Sequence, residues 1–185
     1  MWNQHFHRPL VIGHRGAAGH APENTLPSIE RALELGADAV EIDIHLVGEK
    51  LLVIHDDSVD RTTNGHGGLT ELRLDAIRSL DAGGGAQIPF LEEVLELVRG
   101  RARLVIEIKA RAAVPYLAEL LRRSEIETPL VISFDQPALV QCKALLPELP
   151  IAPLLYGVPH DLTFCAEQIG AVAYNGHFKS MSQEL

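Results

Sequence analysis

The chain has 185 residues, 46% hydrophobic and 22% charged, a composition typical of a globular protein with one sizeable core. No apolar run approaches the ~20 residues of a membrane-spanning helix, and the N-terminus lacks a signal-peptide core, so we expect a cytoplasmic protein without a stable membrane anchor. A net charge of −9 argues against nucleic-acid binding, which needs a basic surface, but permits a small anionic substrate.

Short apolar, β-branched runs alternate along the chain with amphipathic segments. The runs predict strands at 10–13, 39–46, 51–55, 104–109, 130–134, 151–155 and 171–175. The intervening segments predict helices near 25–35, 70–80, 90–99, 113–124, 136–146 and 162–168. Asn24 or Thr25 is suited to cap the first helix. Near-continuous apolar strands separated by helices indicate a parallel sheet covered on both faces, which is an α/β fold.

One connection departs from this alternation. Only residues 47–50 separate the second run from the third, too few for a parallel crossover, so these strands are expected to form an antiparallel hairpin. A three-residue turn would place His55 opposite Asp43, whereas a two-residue turn would place it opposite Ile42 on the other face. Because a role for His55 beside Asp43 requires the first register, we predict the three-residue turn.

Six strands remain when the hairpin strand is set aside, whereas a (β/α)₈ barrel has eight and about 250 residues. The predicted fold is therefore a TIM-type barrel that lacks its last two βα units, in a single domain over 1–185. Residues 179–185 are expected to begin a helix. Since an open barrel exposes two strand edges, we expect a C-terminally incomplete domain, or a chain completed by a homo-oligomeric or other partner.

Acidic residues stand where the predicted strands end. Glu41 and Asp43 are two residues apart on one strand, so both carboxylates face the same side, and Glu107 ends the next barrel strand. Carboxylates this close repel one another and require a cation, and an all-oxygen set suits Mg²⁺ or Ca²⁺. The alternative is a structural ion network that Glu41 and Asp43 form with Arg15 and Lys109.

Two histidines also stand at strand ends beside acids. His14 and His55 are candidate acid–base groups, because imidazole titrates near neutral pH and suits proton transfer to and from hydroxyl groups. Arg15 can bind two phosphate oxygens through its planar guanidinium, and Lys109 offers a point charge. Asp56 either orients an imidazole or caps the next turn. These residue types indicate metal-assisted phosphoryl chemistry.

Six motifs stand in order along the chain. They are His14-Arg15-Gly16, Pro22-Glu23-Asn24-Thr25, Glu41-Ile42-Asp43, His55-Asp56 with Asp60-Arg61-Thr62-Thr63, Ile88-Pro89 before Leu91-Glu92-Glu93, and Glu107-Ile108-Lys109. In this order and spacing they resemble the glycerophosphodiester phosphodiesterase family of phospholipase C-like TIM barrels. The resemblance extends to about residue 178, and the family's closing strands, with a Trp-Thr-Val-Asn-like segment, have no counterpart in this sequence.

The resemblance implies a barrel whose site opens at the C-terminal ends of the strands. The residues that it assigns to a divalent metal, Mg²⁺ or Ca²⁺, are Glu41, Asp43 and Glu107. It further implies His14 and His55 as general base and general acid, with Arg15 and Lys109 on the phosphate. The implied reaction is hydrolysis of a glycerophosphodiester to glycerol 3-phosphate and an alcohol.

Two other interpretations use the same residues. A lysophospholipase D or an intramolecular phosphate lyase needs an apolar groove for an acyl chain, to which Leu69, Leu72 and Leu74 can contribute. A metal-binding remnant or assembly subunit without turnover is the third interpretation. The residues do not decide between a cyclic phosphate intermediate and direct attack by water.

Overall fold

The computed structural model of the chain describes residue 2, residues 7–157 and residues 161–176. Its strands are β1 (Ile12–His14), β2 (Ala39–Val47), β3 (Lys50–Val53), β4 (Arg103–Ile108), β5 (Leu130–Ser133), β6 (Ile151–Leu155) and β7 (Asn175–Gly176). Its α-helices are α1 (Leu26–Glu34), α2 (Leu74–Arg78), α3 (Leu91–Val98), α4 (Val114–Arg123), α5 (Gln136–Leu145) and α6 (Leu162–Ile169). The helix expected to begin in 179–185 lies outside the described residues.

Six strands form one parallel sheet in the order β1-β2-β4-β5-β6-β7, and β3 pairs only with β2. This arrangement confirms the predicted α/β fold, a TIM-type barrel built in part. Parallel pairing brings the C-terminal ends of the strands to one edge, where His14 is level with Glu41 and Asp43 is level with Glu107. The last strand differs from its prediction at 171–175: it is shorter and begins only at Asn175.

The core lies mainly between the sheet and the helices on its outer face. Buried residues of α1, α3, α4 and α5, such as Ile29, Val94 and Leu117, pack against outward-facing residues of the strands. A smaller inner cluster holds Ala39, Val105, Leu130, Ile132 and Ala152, and Trp2 packs against it. Among the described residues, no helix is long and apolar enough to cross a membrane.

Residues 54–90 connect the end of β3 to the start of α3 and lie outside the sheet; we call them the excursion segment. They have an apolar cluster of their own, formed by Ile54, Val59, Leu69, Ile77, Ala82 and Ile88 with Val47 and Leu52 of the hairpin. Leu52 also forms a bridge to Phe90. The excursion segment is therefore packed as a small unit against the hairpin.

The hairpin of β2 and β3 is antiparallel, as predicted, but its register is not the predicted one. Val47 pairs with Lys50, so the turn contains only Gly48 and Glu49. Gly48 has φ +61, and glycine adopts this left-handed conformation readily at the first central position of a two-residue turn. The predicted three-residue turn is wrong.

Strand register consequently does not position His55. β3 ends at Val53, and the Ile54 amide donates to the Asp43 carbonyl oxygen at 3.0 Å as the chain leaves the sheet. His55 follows in irregular backbone, where side-chain contacts rather than strand pairing set its orientation.

The loop between β1 and α1 leaves no space for a side chain at Gly16. This residue has φ +80, and a Cβ there would lie 2.5 Å from Ser28 Oγ and 2.8 Å from the Ile29 nitrogen. The Gly16 amide also donates to the Glu41 carbonyl oxygen at 3.2 Å. The glycine therefore lets the loop approach both α1 and β2.

We predict that Gly16→Ala lowers the free energy of unfolding by at least ~2 kcal/mol, because it combines left-handed strain with overpacking. Urea unfolding followed by circular dichroism measures the loss. Gly19→Ala is the matched control, since a Cβ at Gly19 meets nothing within 4 Å, and it should change stability by no more than ~0.5 kcal/mol. Equal stability of the two variants would contradict this explanation of the loop.

Candidate active site at the C-terminal strand ends

Three acidic residues predicted to bind a metal lie together at the C-terminal edge of the sheet. Glu41 and Asp43 of β2 and Glu107 of β4 are all buried, and Asp43 is 0% exposed. A carboxylate oxygen from each lies within 4.8 Å of the other two. The period-two alternation of the strands and the pairing of Asp43 with Glu107 produce this cluster.

Asp43 is held by two neighbours. The Asn24 amide donates to Asp43 Oδ2 at 2.8 Å, and Asn24 Oδ1 accepts from the Asp43 backbone nitrogen at 3.2 Å. Lys109 Nζ lies 2.9 Å from Asp43 Oδ1 and 2.5 Å from Glu107 Oε1. Asn24 is itself buried and has φ +55, so its backbone conformation is constrained for this contact. Sequence reasoning treated Asn24 only as a possible helix cap, and the structure assigns the cap to Thr25.

Arg15 contacts the acidic cluster through both backbone and side chain. Its amide donates to Glu41 Oε2 at 2.9 Å, and its guanidinium Nε lies 3.5 Å from Asp43 Oδ2. Its Nη1 donates to Glu23 Oε1 at 2.8 Å. Arg15 has φ +53, an uncommon conformation for a residue with a side chain. The strained pair Arg15 and Asn24 thus flanks the cluster.

The charges of the site do not balance within the chain. Burial and repulsion by Asp43 raise the pKa of Glu41, and burial raises the pKa of Glu107 against the opposing effect of Lys109. Burial would also raise the pKa of Asp43, but Lys109 and the Asn24 amide lower it below its ordinary range. If all three carboxylates were ionised, Arg15 and Lys109 would leave one net negative charge, and the raised pKa of Glu41 shows that a proton or a cation is needed to offset it.

The donor set fits a hard divalent cation. All the ligand atoms are carboxylate oxygens, the type that Mg²⁺ and Ca²⁺ prefer. Within the described part of the chain, the buried Asp43 Oδ1 forms an ion pair with Lys109 Nζ but has no partner in hydrogen-bond geometry. In the alternative ion network, Lys109 offsets the charges of Asp43 and Glu107. Glu41, however, has polar contacts among the described residues only with the Arg15 backbone amide and with His14, which is 3.9 Å away.

His14 lies at the open side of the cluster. Its Nε2 is 3.9 Å from Glu41 Oε2, and its side chain is 71% exposed. Burial and the neighbouring Arg15 charge lower its pKa below the ordinary histidine range. A neutral imidazole in this position can accept a proton at neutral pH.

His55 is oriented by contacts at its backbone and ring. Its Nδ1 donates to Asp56 Oδ1 at 2.6 Å, so Asp56 orients an imidazole, one of the two predicted possibilities. His45 Nε2 donates to the His55 carbonyl oxygen at 3.0 Å, a contact that sequence reasoning missed.

Two aromatic residues follow neighbouring strands at the same edge. Phe134 comes directly after β5 and Tyr156 directly after β6, and their rings stack with centroids 4.5 Å apart and an interplanar angle of 16°. Both are exposed. They were not among the predicted site residues, because the sequence does not show that aromatic side chains at the ends of two neighbouring strands stack on each other.

Comparisons with known proteins show the family to which the sequence is similar. The sequence pattern of the glycerophosphoryl diester phosphodiesterase family matches residues 14–185. A glycerophosphodiester phosphodiesterase of Caldanaerobacter subterraneus is 40% identical over 164 residues, which cover 80% of this chain and 67% of that protein. One from Bacillus subtilis is 34% identical over 175 residues, covering 80% of this chain and 60% of that protein. The chain thus spans about two thirds of the length of these relatives.

Solved structures show the same fold. An Oleispira antarctica phosphodiesterase, determined in complex with its product sn-glycerol-3-phosphate, superposes with a TM-score of 0.89 at 31% identity and covers 94% of this chain and 77% of that one. A glycerophosphodiester phosphodiesterase from Agrobacterium tumefaciens is 36% identical, with a TM-score of 0.69, and covers 80% of this chain and 66% of that one.

We predict that the free energy of unfolding of the metal-free protein depends on pH through the titration of Glu41. Because the folded state raises the pKa of Glu41, it keeps a proton that the unfolded chain has released, so this contribution to stability falls as pH rises above the ordinary glutamate range. The wild-type free energy of unfolding, relative to that of Glu41→Gln, should decrease between about pH 5 and pH 8 by up to ~1.4 kcal/mol per unit.

The comparison with Glu41→Gln isolates this effect from His14, whose lowered pKa changes stability in the opposite direction. Saturating Mg²⁺ or Ca²⁺ should reduce the decrease, because the cation replaces the proton. Urea unfolding across the pH range measures both. Parallel pH profiles for the wild type and Glu41→Gln would contradict the charge imbalance.

Proposed function

This chain belongs to the glycerophosphoryl diester phosphodiesterase family, and we propose that it hydrolyses glycerophosphodiesters to glycerol 3-phosphate and an alcohol with a divalent metal ion. The observation that carries the proposal is the buried cluster of Glu41, Asp43 and Glu107. Arg15, Lys109 and His14 lie against this cluster at the edge where parallel strands end, the usual position of active sites in such barrels.

Substrate binding is assigned to Arg15 and Lys109. A phosphodiester carries one negative charge, and these two side chains are the cations that lie against the cluster. Arg15 can offer a planar pair of donors and Lys109 a point charge. The Oleispira antarctica relative holds sn-glycerol-3-phosphate, which supports a glycerol phosphate as the part of the substrate bound here.

Proton transfer is assigned to the two histidines. His14, with its lowered pKa, takes the proton of the attacking hydroxyl group. His55 donates through Nδ1 to Asp56, which leaves Nε2 to protonate the leaving alcohol. These residues serve equally for attack by the substrate glycerol, through a cyclic phosphate, or by water.

Glu41, Asp43 and Glu107 would hold the metal, Mg²⁺ or Ca²⁺. Bound there, it would supply the positive charge that neutralises a phosphate oxygen in the transition state. Lys109 orients Asp43 and Glu107 and favours their ionised forms, and the Asn24 amide holds Asp43 Oδ2.

The lysophospholipase interpretation receives no support from the leucines proposed for an acyl groove. Leu69 is 3% exposed in the apolar cluster of the excursion segment, and Leu72 and Leu74 pack against that cluster. These side chains pack in the interior of the excursion segment.

We therefore expect the chain to act on glycerophosphocholine and to cleave the corresponding lyso-phospholipid at least ~10-fold more slowly, measured as the ratio of kcat/KM values. The opposite preference would favour the lysophospholipase activity.

We predict that His14→Ala and His55→Ala each reduce kcat by about 10²–10⁴-fold, because each removes one proton-transfer group. The assay measures glycerol 3-phosphate released from glycerophosphocholine with Mg²⁺ or Ca²⁺ present. His66→Ala is the control, since His66 also pairs with an aspartate in the excursion segment but has an 87% exposed side chain. It should retain wild-type kcat. Near-wild-type activity in either test variant would remove its assignment.

A further inference from the structure

Arg61 joins two separate parts of the molecule. It lies in the excursion segment, where its Nε donates to Asp56 Oδ2 at 2.6 Å and its Nη2 to Asp56 Oδ1 at 3.1 Å. It also reaches the loop before α1, where Nη1 and Nη2 donate to Glu23 Oε2 and Oε1 at 2.9 and 2.8 Å. One guanidinium therefore binds two carboxylates, each through both oxygens.

Each of these carboxylates holds a residue of the candidate active site. Asp56 accepts from His55 Nδ1 at 2.6 Å, and Glu23 accepts from Arg15 Nη1 at 2.8 Å. A continuous series of charged hydrogen bonds thus runs from His55 through Arg61 to Arg15, which lies beside the acidic cluster. The two ends of the series come from segments separated by the whole of β2 and β3.

We propose that Arg61 is a positioning residue that fixes the His55 imidazole and the Arg15 guanidinium relative to each other. Among the described residues, Arg61 bonds to Asp56 and Glu23 and to none of the three acids of the cluster, so it acts through those two carboxylates. This inference rests on the proposed function, in which His55 protonates the leaving group and Arg15 binds the phosphate. Arg61 performs neither role itself.

The chemistry of the contacts favours this role. The four hydrogen bonds use the planar fork of the guanidinium, a geometry that a lysine ammonium cannot reproduce. Arg61 lowers the pKa of Glu23 to about 2 and holds the pKa of Asp56 well below its ordinary range. Both carboxylates therefore remain ionised at neutral pH, and the series stays intact there.

A purely structural role is the competing explanation. Arg61 could tether the excursion segment to the α1 loop without affecting catalysis. However, its side chain is 48% exposed, and ion pairs at exposed positions contribute little to folding stability. The two explanations differ in what they predict for a variant that folds normally: the structural role predicts unchanged turnover, and the positioning role predicts reduced kcat.

The kinetic test compares Arg61→Gln, Arg61→Lys and Arg73→Gln. Arg73 is the matched control, because it also binds a carboxylate in the excursion segment through two hydrogen bonds, to Asp75 at 3.0 Å each. We expect Arg61→Gln to lose about 10–100-fold in kcat with glycerophosphocholine, the usual effect of removing a residue that orients a functional side chain. Arg61→Lys should restore little of the lost kcat. Arg73→Gln should match the wild type.

The double variant Asp56→Asn/Arg61→Gln should lose less kcat than the product of the two single losses, because both changes interrupt the same series. Wild-type kcat in a folded Arg61→Gln variant, full recovery in Arg61→Lys, or additive losses in the double variant would each overturn the inference.

A second measurement does not depend on turnover. The ¹⁵N chemical shifts of the His55 ring report which nitrogen carries the proton. Recorded at a pH at which the imidazole is neutral, they should show an Nδ1–H tautomer in the wild type and in Arg73→Gln, and a loss of that preference in Arg61→Gln. Unchanged His55 shifts in Arg61→Gln would overturn the inference. If the wild type does not cleave glycerophosphocholine, the proposed function fails, whereas the ring shifts still test the positioning.

Discussion

The mutual repulsion of three buried carboxylates is the constraint around which this end of the sheet is organised. Parallel pairing of β2 with β4 forces Asp43 and Glu107 level with each other, and strand alternation adds Glu41 on the same side. Lys109 and the Asn24 amide offset part of that repulsion. Burial together with the remaining repulsion raises the pKa of Glu41, and a divalent cation bound at the cluster would offset that repulsion.

The excursion segment supplies the site with residues that no barrel strand carries. It packs around its own apolar cluster, which includes Val47 and Leu52 of the hairpin. His55 and Arg61 both lie in it. The acidic cluster belongs to the sheet, whereas His55 belongs to the excursion segment, and the series through Arg61 joins the two.

The residues of the acidic cluster could be predicted because they follow from periodicity. Once two strands are parallel neighbours, the positions of Asp43 and Glu107 follow from alternation and register alone. The location of His55 could not be predicted in this way. A left-handed Gly48 shortened the turn by one residue, and the strand ended before the histidine. Likewise, the positive φ of Asn24 accompanies its tertiary contact with Asp43. The sequence, which suggested only a helix cap at this position, does not reveal it.

Anomalous diffraction from crystals grown with Mn²⁺, an oxygen-binding substitute for Mg²⁺, tests the central claim most directly. The account predicts one strong peak coordinated by carboxylate oxygens of Glu41, Asp43 and Glu107, with Lys109 still beside the cluster. Absence of a peak there at saturating Mn²⁺, with Lys109 as the only cation among the three carboxylates, would show a structural ion network and contradict a metal-dependent active site.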